Sequence, residues 1–175
     1  ACETESAFNL GGGSPLGGTY SGAGVGVSPS FNPATAGVGA HTITYSYTDG
    51  NGCANTATDA MTVNANPSLS IADTTICDGD VAGVFDAGAG FSSYAWSVNG
   101  AGTAQTTART TAGVYSVIVT DANGCEDTTS ATLTINTKPN ISIADTTICD
   151  GDVAGVFDAG SGFSSYAWSA NGTGT

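Results

Sequence analysis

Cations are almost missing from this chain: 2 Lys plus Arg stand against 15 Asp plus Glu in 175 residues, a formal net charge of −13. Phosphate backbones and anionic lipid surfaces are held by clustered cations, and Arg109 and Lys138 lie 29 positions apart. Nucleic acid and anionic membranes are therefore poor partners. Helix builders are also scarce, with 4 Leu and 1 Met against 26 Gly, 26 Ala, 26 Thr and 18 Ser, which argues against an all-α fold. No run approaches the roughly 20 apolar residues of a membrane helix, so no transmembrane segment is expected. The opening ACETESAFNL has neither the basic start nor the apolar core of a signal peptide, and reads as mature or internal sequence.

What the chain does have is 40% hydrophobic residues, with 6 Tyr, 6 Phe and 2 Trp. That is too apolar for a disordered tail and too thinly spread for one large core, which favours several small all-β domains. Five cysteines lie far apart at 2, 53, 77, 125 and 149, none in a CxxC pair. With the low Lys content, this spacing suggests an oxidising, extracellular setting.

Self-similarity organises the rest. Pro67-Ser-Leu-Ser-Ile-Ala-Asp-Thr-Thr-Ile-Cys77 returns as Pro139-Asn-Ile-Ser-Ile-Ala-Asp-Thr-Thr-Ile-Cys149, an offset of 72, and 67–103 differs from 139–175 at five of 37 positions. The same offset carries Asp49-Gly-Asn-Gly-Cys53 onto Asp121-Ala-Asn-Gly-Cys125. The expected domains are a diverged repeat at 1–65, a complete repeat at 66–137 and the first half of a third at 138–175. The chain then reads as a window on a longer array, linked by Asn64-Ala-Asn-Pro67 and Asn136-Thr-Lys-Pro139, where proline limits the hinge.

Alternation at period two predicts strands at Leu69–Ile71, Tyr94–Val98, Tyr115–Val119 and Ala131–Ile135, and in the first repeat at His41–Tyr47 and Ala60–Val63. Turn signals separate them: DGD at 78–80, DAGAG at 86–90, NGAG at 99–102 and DANG at 121–124, the last a hairpin. Short strands at this spacing point to tandem small β-sandwiches. Two cysteines per repeat fit one staple each, Cys2 with Cys53 and Cys77 with Cys125, leaving Cys149 to pair outside the chain. Free buried thiols are the alternative.

The strings GGTYSGAGV at 17–25, Phe31-Asn-Pro-Ala, AGVGAHTITYSYTDGNGC at 36–53, YAWSVNG at 94–100 and GVYSVIVTDANGC at 113–125 resemble the immunoglobulin-like and PKD-like repeats of giant surface proteins. Such repeats occur in Bacteroidota, in gliding-motility adhesins and other substrates of the type IX secretion system. The resemblance implies an extracellular, cell-surface location and partners among further repeats of the same long chain, the type IX machinery, surface polysaccharide or other cells. It also implies that Asp73-Thr-Thr, Asp127-Thr-Thr and Asp145-Thr-Thr carry O-linked glycans on Thr74, Thr128 and Thr146; the alternative is that threonine is simply common in strands.

Chemistry-bearing residues are few. His41, the one histidine, sits in an alternating strand and reads as structural rather than as the base of a nucleophilic relay. No close ligand pairs suit zinc. Asp78, Asp80, Asp86 and Asp121 could pair for glycoside cleavage, but duplication of the motif at Asp150, Asp152 and Asp158 speaks for turn capping instead. Calcium is the ion that would suit Asp78, Asp80, Asp121 and Asn123 if a Cys77–Cys125 bond drew the two loops together; no other cofactor is expected. Trp96 and Trp168 fill a core or, exposed, form a sugar platform. The expected role is non-enzymatic: stalk repeats that extend distal adhesive domains. Glycan-binding repeats and the stalk of a secreted polysaccharide hydrolase are the other readings.

Overall fold

A computed structural model describes residues 1–27, 29–97, 102–153 and 155–168. Within them the chain is an all-β sandwich protein with one helical turn. It divides into two units, Ala1–Asn136 and Thr137–Thr175.

The first unit holds two sets of sheets that share no strand. In the earlier set, β1 (Phe8–Asn9) pairs with β3 (Ser30–Phe31), and β2 (Thr19–Ser21), β4 (Gly39–Thr48) and β5 (Ala54–Val63) form a three-stranded antiparallel sheet. Phe31, Ile43 and Val63 are its buried centre, packed about by Phe8, Leu10, Tyr20, Val25, Ala36 and Met61. The helical turn α1 (Pro33–Ala36) follows from Asn32, whose side chain accepts the Thr35 N–H, with Pro33 supplying a helix-ready φ in the first turn.

In the later set, β6 (Thr74–Cys77), β8 (Ser93–Trp96), β10 (Gly113–Thr120) and β11 (Glu126–Asn136) form a sheet of order β6-β11-β10-β8. The pair β7 (Gly83–Asp86) and β9 (Thr106–Arg109) supplies the other layer. Alternation along β10 buries Tyr115, Val117 and Val119, and β11 adds Ala131 and Leu133. Phe85 of β7 closes the sandwich, its ring 5.6 Å from Tyr115 and 6.4 Å from Trp96.

The hairpin predicted at DANG is present as β10–β11, and the equivalent DGNG joins β4 to β5 in the first repeat. Leu69–Ile71 is not a strand. Leu69 and Ile71 do pack against the core, but the Leu69 N–H is taken by the Asp127 carboxylate and not by a neighbouring strand. The expected strand at 94–98 closes at Trp96; Val98 and positions 99–101 of the expected NGAG turn lie outside the described residues.

The second unit carries the sequence of β6 to β8 without that of β9 to β11. Its turns are kept: the Cys149 N–H donates to Asp152 and the Tyr166 hydroxyl to the Gly160 carbonyl, as Cys77 does to Asp80 and Tyr94 to Gly88. Its described residues form no strand. Phe157 and Trp168 are 52% and 59% exposed, where their counterparts Phe85 and Trp96 are 1% and 3% exposed under side chains from β10 and β11.

Candidate functional site

A recurring geometry lies at the two ends of each complete repeat, each of which carries a cysteine. One is the entry turn. The Cys2 N–H donates to the Glu5 carboxylate and the Glu5 N–H to the Cys2 carbonyl; Cys77 and Asp80, and Cys149 and Asp152, make the same two bonds. Cys2 bridges Asn64 in parallel, as Cys77 bridges Asn136. The other is the hairpin tip. Asp49 accepts the N–H groups of Asn51 and Cys53, and Asp121 those of Asn123 and Cys125. Gly52 and Gly124, both at φ 84°, close these turns in a conformation that excludes most side chains. Each tip aspartate has its carboxyl below the ordinary value of 3.8, chiefly through the cysteine N–H and then through its other turn bonds.

The entry turn and the tip stand at opposite ends of their own repeat. The segment after Pro67 runs parallel to β11, Leu69 beside Asp127 and Cys77 beside Asn136. Cys125 immediately precedes β11, so the strand's 11 residues, about 35 Å of extended chain, separate it from Cys77. In the earlier set, β5 separates Cys53 from Cys2 in the same way. A disulfide needs Cα atoms within about 7 Å. The expected Cys2–Cys53 and Cys77–Cys125 bonds are thus replaced by one between repeats: Cys2 bonds Cys125, with Cα atoms 5.5 Å apart and a sequence separation of 123. Cys53, Cys77 and Cys149 are free and exposed.

Asn66, in the linker, knits the same junction. Its side chain bonds both Thr4 and the Glu126 carbonyl, joining the entry turn of one repeat to the tip strand of the next. Sequence reasoning missed this pairing because it treated each repeat as a closed unit. The available signal was the four-residue linker, too short to hold the end of one repeat far from the tip of its successor.

The same separation overturns the calcium site. Asp78 and Asp80 lie at one end of β11, and Asp121 and Asn123 at the other; Asp80 accepts the Cys77 N–H, and Asp121 is occupied by its own turn. No group of three or more His, Cys, Asp or Glu is placed for a metal among the described residues. His41 Nε2 donates to the Gly37 carbonyl at 2.7 Å, a structural bond. Trp96 is buried and donates from Nε1 to the Ala104 carbonyl, so it offers no sugar platform. Of the threonines proposed for glycans, Thr128 and Thr146 are exposed. Thr74 is half-buried in β6.

Concavities are shallow in chemical content. One of 620 Å³, lined by Ile141, Ile143, Phe163, Tyr166 and Trp168, is made of residues whose counterparts in the complete repeat belong to its core. Another, of 380 Å³, lies over Gly11–Gly13, Tyr20 and Tyr45. There the tyrosine hydroxyls are spent on the loop itself: Tyr20 accepts the Gly13 N–H, while Tyr45 accepts that of Gly18 and donates to the Pro15 carbonyl. No protein-family model and no curated protein matches this chain.

Proposed function

We propose that the chain is a run of spacer links in the stalk of a large secreted bacterial surface adhesin, holding distal binding domains away from the cell for attachment or gliding. The observation that carries this reading is the near-identical duplication of 67–103 at 139–175, joined to a covalent bond between successive repeats. Duplication almost without change suits a part whose value is length and strength, since an active centre is seldom needed in every link. The disulfide agrees with a secreted location; among the described residues no helix is long and apolar enough to cross a membrane. The burial of Trp96 and the engaged tyrosines weigh against repeats that bind glycan themselves. The partners on this reading are further repeats, the type IX machinery during export, and polysaccharide or other cells reached by the distal domains.

Antibody raised against the 175-residue chain should label intact, unpermeabilised cells of the source bacterium, and in-frame removal of links should weaken attachment in proportion to the length lost. Label confined to permeabilised cells, or saturable glycan binding by the purified chain, would overturn the stalk.

A further inference from the structure

The geometry points to an interlocking disulfide ladder along the array, in which the entry-turn cysteine of each repeat bonds the hairpin-tip cysteine of the repeat that follows. It rests on the reading of the chain as one stretch of a repeating array, but not on where that array is displayed.

The argument is one of equivalence. The three entry-turn cysteines, Cys2, Cys77 and Cys149, share one pattern of hydrogen bonds, and the two tip cysteines, Cys53 and Cys125, share another. Bonding within a repeat is closed off by the strand between the two ends. Across the one complete junction, an entry turn and a tip meet and are bonded. Every cysteine left free is then one whose partner belongs to a neighbouring copy: Cys77 and Cys149 await the tips of the copies after theirs, and Cys53 the entry turn of the copy before. Their exposure leaves them open to such partners. Each bond forms as two thiols lose two protons and two electrons to a disulfide oxidant, which leaves as two thiols.

The consequence is mechanical. Successive bonds overlap, so every residue of the array lies inside at least one closed loop. Stepping from bond to bond, only the 24 residues from Cys125 to Cys149 in every two 72-residue periods can be drawn out. Bonds within repeats would free the same 24 residues in every single period.

The ladder is tested by appending the sequence of residues 104–137 after Thr175, which completes the third copy. The appended tip is written Asp-Gly-Asn-Gly-Cys, and Cys149→Ser is introduced, so that each cysteine falls in a peptide of distinct mass after cleavage before aspartate. The chain is oxidised with glutathione disulfide, alkylated without reduction and mapped. The expected result is Cys2 bonded to Cys125 and Cys77 bonded to the appended tip, with Cys53 alkylated. Changing the appended tip cysteine to serine should leave Cys77 alkylated and Cys2–Cys125 intact, which also reports that the chain has folded. Cys77 bonded to Cys125, Cys2 bonded to Cys53, or Cys77 fully alkylated beside a formed Cys2–Cys125 bond would overturn the ladder. None of those results would bear on cell-surface display, which the antibody labelling reads separately.

Discussion

Trp96 illustrates how much one side chain carries in a domain this small. It packs with Phe85 against β10 and satisfies its indole N–H on the Ala104 carbonyl. Trp96→Ala should cost about 3–5 kcal/mol, read as a large fall in the midpoint of urea unfolding; a midpoint unchanged from the parent would mean the indole is not core. Gly18 is a second such position, because a β-carbon there would fall on the Tyr45 ring and the Ser46 carbonyl. Gly18→Ala should destabilise the first repeat by about 1–3 kcal/mol in the same measurement. Asp49 and Asp121 titrate below 3.8 when folded, so what they contribute is present above that value and is lost as pH falls through their lower folded values. Melting temperature should therefore fall in acid below about pH 4, and Asp121→Asn should lower the neutral-pH melting temperature while flattening that acid limb.

Hairpins and strands were legible wherever alternation and a glycine turn coincided. The ladders β4–β5 and β10–β11 lie around DGNG and DANG because Asp caps the turn and Gly readily accepts its φ. Leu69–Ile71 has the same alternation without a ladder, since period two reports which side chains face a core and not which backbone groups find a strand. Cysteine pairing is likewise a relation between elements, and one proteolytic cut reads it. Trypsin severs the chain after Arg109, the Lys138–Pro139 bond being resistant, which leaves Cys2, Cys53 and Cys77 on one fragment and Cys125 and Cys149 on the other. After alkylation and digestion in urea, the fragments should stay joined until reduced. Cys2→Ser should release them without reductant and Cys77→Ser should not; the reverse pattern would restore bonding within repeats.

An array built of such junctions resists extension. In force spectroscopy of a long oxidised stretch, the fully extended contour length should be about one-sixth of that reached after reduction, as 24 residues in 144 remain extensible at about 3.6 Å each. A contour of one-third would instead indicate bonds inside each repeat. Within the present chain, the loop of more than 120 residues closed by Cys2–Cys125 should stabilise Ala1–Asn136 by about 5 kcal/mol in the chain-entropy model. Reduction without denaturant should lower its melting temperature accordingly. The net charge of −13 keeps near-identical neighbours apart in solution, so association should increase as pH approaches the isoelectric point near 4.1.

Composition and periodicity alone determined that this chain is all-β, built on a 72-residue repeat, with aspartate-glycine turns at its hairpin tips. Those properties are local: they depend on alternation and on the φ that glycine permits. Which cysteines bond, and whether two acidic loops share an ion, were decided only in three dimensions. An extended strand of about ten residues spans some 33 Å, a length that places the two cysteines of one repeat beyond each other's reach. A four-residue linker brings the cysteines of successive repeats together.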